Sequence, residues 1–140
     1  MRRTRLAAMT GAVAAAAIPL WPSMASAGTT GPPDQEAKQT FYVEVTTFIT
    51  CQVEAEAQRF GSNASVITRV VSDEPECRDN AMSVYGEFTG SDGGALTASS
   101  GGSGPSESLA VGGVARIDRT VQSISFAACN CGTTVELHPK

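Results

Sequence analysis

From Phe41 onward the chain alternates. Apolar or small residues occupy Phe41, Val43, Val45, Thr47, Ile49, Cys51, Val53, Ala55 and Ala57. Between them stand Tyr42, Glu44, Thr46, Phe48, Thr50, Gln52, Glu54, Glu56 and Gln58, so only Thr47 and Phe48 break the pattern. Successive side chains of a strand point to opposite faces, and a period of two therefore predicts a half-buried strand with its odd positions inward. Val43, Val45 and Ile49 are expected inside, and Glu44, Thr46 and Gln52 outside. At about 3.3 Å per residue the run is too long for one straight strand in a small domain. A bend or short break is expected near Cys51 to Ala55. A helical turn at Glu54 to Phe60 is the alternative there, since Ala and Glu favour it.

Further strands follow the same logic. Ala64 to Val71 is rich in β-branched residues, with Val66, Thr68 and Val70 on one face. Ala81 to Thr89 places Met82, Val84, Gly86 and Phe88 opposite Ser83, Tyr85 and Glu87. Leu109 to Ile117 is a weaker strand, interrupted by Gly112 and Gly113, and Asp118 to Thr120 reads as a turn. Val121 to Ala128 carries Ile124, Phe126 and Ala128 on one face, and Thr133 to Leu137 returns with Val135 and Leu137 inward. Cys129-Asn130-Cys131-Gly132 between them reads as a hairpin tip, because Asn and Gly supply the positive φ of a tight turn. About seven short strands separated by turn signals predict an all-β domain, a small antiparallel sandwich or partly closed barrel.

The segments between strands are polar. Gly28 to Gln39, with Pro32 and Pro33, reads as a flexible tail, which leaves residues 40–140 as a single domain. Ser72 to Asn80 is an acidic loop around Pro75. In Gly90 to Ser108, twelve of nineteen residues are Gly or Ser, which predicts a long loop with at most a short strand at Ala95 to Thr97. Loops of that length in small domains are usually functional or disordered.

The start of the chain changes the compartment. Arg2, Arg3 and Arg5 precede an apolar run from Leu6 to Trp21, broken by Pro19, and Ala25-Ser26-Ala27 forms a small-residue cleavage pattern. This is the layout of a secretory signal peptide over residues 1–27, by the general or the twin-arginine route. The first cysteine is Cys51, far from the cleavage point, so lipid anchoring there is not expected. The mature chain would keep seven of the ten basic residues and all fourteen acids, a net charge of −7. Such a balance argues against nucleic-acid binding, which needs clustered Lys and Arg. No later segment is apolar enough to span a bilayer.

In an exported small domain, Cys51, Cys77, Cys129 and Cys131 are read as two structural disulfides. A Cys129–Cys131 bond would close a very small ring, so Cys51 and Cys77 are each expected to bond one of that pair, giving long-range links. The alternative is thiol–disulfide work by Cys129 and Cys131, although the usual C-x-x-C spacing is absent and no basic residue is near in sequence. Asp73, Glu74, Glu76 and Asp79 supply oxygens for a cation but lack the loop signature of a calcium site, and no metal or cofactor is expected. Glu54 and Glu56 share a strand face like ordinary surface residues, and the lone His138 lies in the C-terminal tail. No catalytic motif occurs. The chain is expected to be a non-catalytic secreted binding or accessory domain engaging an extracellular protein or small ligand. A protease inhibitor presenting loop 90–108 is the first rival, the Cys129/Cys131 thiol protein the second and a calcium-dependent surface protein the third.

Overall fold

The computed structural model describes residues 31–140; the expected signal segment 1–27 and the start of the tail lie outside the described residues. The long alternating run is two strands, β1 (Gln35–Thr46) and β2 (Ile49–Phe60), joined by a two-residue turn at Thr47 and Phe48. The break therefore falls at the two positions where alternation failed, not at Cys51 to Ala55. No helical turn forms at Glu54 to Phe60, because those residues pair with β1 on one side and with the third strand on the other. Burial of Ala55 and Ala57 and two ladders of hydrogen bonds override a weak helical preference. Odd positions stay inward through the turn. Val45, Cys51, Val53, Ala55 and Ala57 are buried, whereas Phe41, Val43 and Ile49 are half-buried. Ile49 abuts the turn at the end of the sandwich, so it is less enclosed than its alternation implies.

β1 begins at Gln35, inside the segment read as a flexible tail. What holds it is tertiary. Gln35 is buried, accepts from the Ile117 N–H at 2.8 Å and donates to the carbonyls of Ile117 and Pro139 at 3.1 and 3.2 Å. Glu36 and Lys140 also exchange backbone hydrogen bonds, at 3.1 and 3.4 Å.

The remaining elements are β3 (Asn63–Val70), α1 (Pro75–Arg78), β4 (Asn80–Gly90), β5 (Ala95–Gly102), β6 (Ser106–Val111), β7 (Val114–Phe126) and β8 (Cys131–Leu137). They form two four-stranded antiparallel sheets, ordered β1-β2-β3-β6 and β5-β4-β7-β8. The domain is a sandwich of eight strands, not a closed barrel. β3 and β6 are neighbours in one sheet while β4 and β7 are neighbours in the other, so the chain crosses between layers three times and locks them together.

Two expected loops are strand. Segment 90–108 contains β5 and the start of β6; its residues pair with β4 from Met82 to Thr89 and with β3 from Ile67 to Arg69. Composition signalled disorder here, but a strand whose neighbour is already hydrophobic needs few apolar residues of its own. Glu107 occupies the inward register opposite buried Thr68, and its carboxylate accepts from the Ser100 hydroxyl of β5. An inward charge of this kind discourages pairing at a sheet edge. The expected turn at Asp118 to Thr120 is instead a bulge. Glu87 pairs with Arg119 and Phe88 with Ile117, leaving Asp118 as the extra residue of a continuous β7.

The core has two lobes. One gathers Ala55, Val66, Val84, Phe88 and Ile117, the other Val53, Cys51, Cys77, Ile124 and Phe126, and Phe41 packs against both. Between the layers, buried Gln122 donates to the Ile67 carbonyl at 2.9 Å and accepts from the Thr120 hydroxyl at 2.9 Å. Gly86 pairs inward beneath the Phe88 ring, where an added methyl would collide with the ring's far edge. Phe88 is 1% exposed and has nowhere to swing. Gly86→Ala is therefore expected to destabilise by about 1–3 kcal/mol through overpacking, read as a lower urea midpoint with an unchanged m-value. A neutral or stabilising result would mean that the ring relaxes freely.

Candidate functional site

Strand alternation sends the polar set of β4, β7 and β8 to the outer face of the β5-β4-β7-β8 sheet. Register then arranges it in rows. Ser99, Tyr85, Val121 and Glu136 lie side by side across the four strands, and Gly101, Ser83, Ser123 and Thr134 form the next row. The face has two halves of different chemistry.

In the charged half, Arg119 binds Glu87 at 2.9 Å and also Glu136, while the Tyr85 hydroxyl donates to Glu87 at 3.0 Å. Hydrogen bonds from Arg119 and then Tyr85 hold the Glu87 carboxyl below its ordinary range. Arg119 likewise lowers Glu136. The acceptor role of Glu87 raises the Tyr85 phenol, and the two carboxylates raise Arg119 further above its already high value. All four groups are thereby fixed in their usual ionised or neutral forms at neutral pH. His138 lies 3.7 Å from Glu136 at the margin. Such a network holds geometry by fixing each side chain against a charged or hydrogen-bonded neighbour.

The other half is a shallow groove of about 420 Å³, lined by Ala81, Ser83, Ser123, Ser125, Gly132 and Thr134 among others. Among the described residues, these hydroxyls have no side-chain hydrogen-bond partner. They are short and stand on a rigid four-stranded frame, so an approaching surface meets open donors and acceptors at little cost in side-chain ordering.

The cysteines pair differently from expectation. Cys51 bonds Cys77, with Cα atoms 5.6 Å apart, and ties β2 to α1. Cys129 bonds Cys131, with Cα atoms 5.0 Å apart, across the β7–β8 tip. The long-range links to the last hairpin do not form. Helix α1 lays Cys77 against the inward Cys51, and both are 0% exposed. Asn130, at φ 50°, takes the left-handed conformation that folds the tip so that its flanking cysteines meet. Spacing alone could not foresee that a residue in this conformation makes a C-x-C bond reachable.

The other sequence candidates stay apart. Asp73 pairs with Arg78 at 3.1 Å, and Glu54 pairs with Arg69 at 3.0 Å. Among the described residues, no three His, Cys, Asp or Glu side chains converge as a metal site would need. Sequence reasoning passed over Tyr85, Glu87, Arg119 and Glu136. Outward parity was the signal for Tyr85, Glu87 and Glu136, whereas Arg119 fell in the segment read as a turn; register between non-adjacent segments creates the network.

Fold and face together define a two-sheet β-sandwich that presents a pre-ordered polar surface and carries one buried and one surface disulfide. No protein-family model, curated protein or solved structure matches this chain. No helix among the described residues is long and apolar enough to cross a membrane.

Proposed function

We propose that this chain is a secreted, non-catalytic binding domain whose recognition surface is the outer face of the β5-β4-β7-β8 sheet and whose partner is another extracellular protein. One observation carries the reading. That face joins a groove of unpaired hydroxyls to a polar network already locked by Arg119, so little must be ordered on binding. The basic-then-apolar leader with Ala25-Ser26-Ala27 and the two disulfides support export. Segment 90–108, the loop an inhibitor would present, is largely paired strand, which favours the sheet face as the recognition surface.

The test is amide chemical-shift mapping of labelled protein titrated with the cell-exterior fraction of its source. Shifts should cluster at Ser83, Tyr85, Ser123 and Thr134 and vanish in Ser123→Arg. Since exposed substitutions usually change stability by no more than about 0.5 kcal/mol, that variant should keep its fold. Shifts confined to the β1-β2-β3-β6 face, or shifts that persist unchanged in Ser123→Arg, would overturn the reading.

A further inference from the structure

The two disulfides differ in burial, which governs access of an incoming thiolate. Cys51 and Cys77 are fully buried in the core. Cys129 and Cys131 are half-buried at a hairpin tip, where the Sγ of Cys131 lies 3.9 Å from the Glu44 carbonyl and that of Cys129 lies 3.8 Å from the Phe126 carbonyl. Beside the tip runs an open groove of about 250 Å³, lined by Asp79, Asn80, Ser125, Phe126 and Asn130, the residue between the two cysteines. Asn80 is 92% buried there, and among the described residues its Oδ1 has no hydrogen-bond partner. The hairpin does not depend on the bond, since β7 and β8 pair continuously from Phe126–Cys131 to Thr120–Leu137.

We infer that Cys129–Cys131 is a thiol–disulfide exchange site for thiols on a neutral or cationic carrier, with the adjacent groove seating the carrier. An incoming thiolate attacks one Sγ, which forms a mixed disulfide and breaks the Cys129–Cys131 bond. The other cysteine leaves as a thiolate and takes a proton from water. A second thiol molecule, as its thiolate, attacks the external sulfur of the mixed disulfide, releasing the small-molecule disulfide and a second cysteine thiolate that is protonated in turn. Two external thiols are oxidised and one protein disulfide is reduced to two thiols. Backbone pairing keeps the two cysteines close in the reduced form, so a small-molecule disulfide restores the bond. One cysteine thiolate attacks it, forming a mixed disulfide and releasing one thiolate, and the other cysteine thiolate displaces the second, closing Cys129–Cys131. Carrier selectivity follows from charge. The charged residue that lines the groove is Asp79, an acid, so an anionic thiolate is repelled and a zwitterionic one is not.

The experiment exposes the oxidised protein to cysteamine or glutathione at matched thiolate concentration, traps free thiols by alkylation and maps the peptides. Cys129 and Cys131 should be labelled at least about tenfold faster than Cys51 and Cys77, following access to the sulfur. Backbone amide spectra should keep their dispersion. Cysteamine should outpace glutathione, and the ratio should fall towards one in about 1 M salt, where charges beyond about 3 Å are screened. Asp79→Asn should narrow the same ratio at low salt. The Cys129→Ser/Cys131→Ser variant should fold and show no fast labelling. Equal labelling of both disulfides, labelling only on unfolding, or faster reaction with glutathione would each overturn the inference.

Discussion

Phe88→Ala should lose about 3–5 kcal/mol of stability, the usual cost of truncating a buried aromatic side chain. Phe88 is 1% exposed and packs with Ala55, Val66, Val84 and Ile117, contributed by both sheets, so the cavity lies between two layers that cannot collapse independently. Gly86 beneath the ring adds no side chain to fill the gap. A domain of this size has about 5–15 kcal/mol in total, so the variant should melt many degrees lower or fail to accumulate. Phe48→Ala is the matched control. Phe48 is 94% exposed at the β1–β2 turn, and its loss should change stability by no more than about 0.5 kcal/mol. Urea titrations of both variants decide the matter, and similar midpoints would mean that the inter-sheet core is misassigned.

Removing Cys51–Cys77 should cost about 3–4 kcal/mol through the unfolded chain alone, since the bond joins residues 26 apart. Removing Cys129–Cys131 frees almost no additional chain, because only one residue separates the two. The Cys51→Ala/Cys77→Ala variant should therefore unfold at markedly lower denaturant, while Cys129→Ser/Cys131→Ser should stay close to the parent. The comparison is best made on variants with the other bond intact, because reductant alone would open both. A reversed order would show that the tip bond organises the sandwich and would count against its role in exchange.

The antiparallel all-β class, the parity of β1 to β4 and the inward sets Val66-Thr68-Val70, Met82-Val84-Gly86-Phe88 and Val135-Leu137 are legible from alternation, because a half-buried strand cannot hide its period of two. Even the β1–β2 turn is marked by the two misfit residues, Thr47 and Phe48. What alternation cannot report is pairing between distant segments, and tertiary structure decided everything that depends on it. Polar Gln35 begins a strand because Ile117 and Pro139 supply its partners from far along the chain. Gly- and Ser-rich β5 is a strand because β4 offers a ladder to complete. The Glu87–Arg119–Glu136 network exists only in the β4-β7-β8 register. The cysteine pairing turned on a four-residue helix that brings Cys77 to Cys51 and on one left-handed asparagine, both products of how the chain closes on itself rather than of residue spacing.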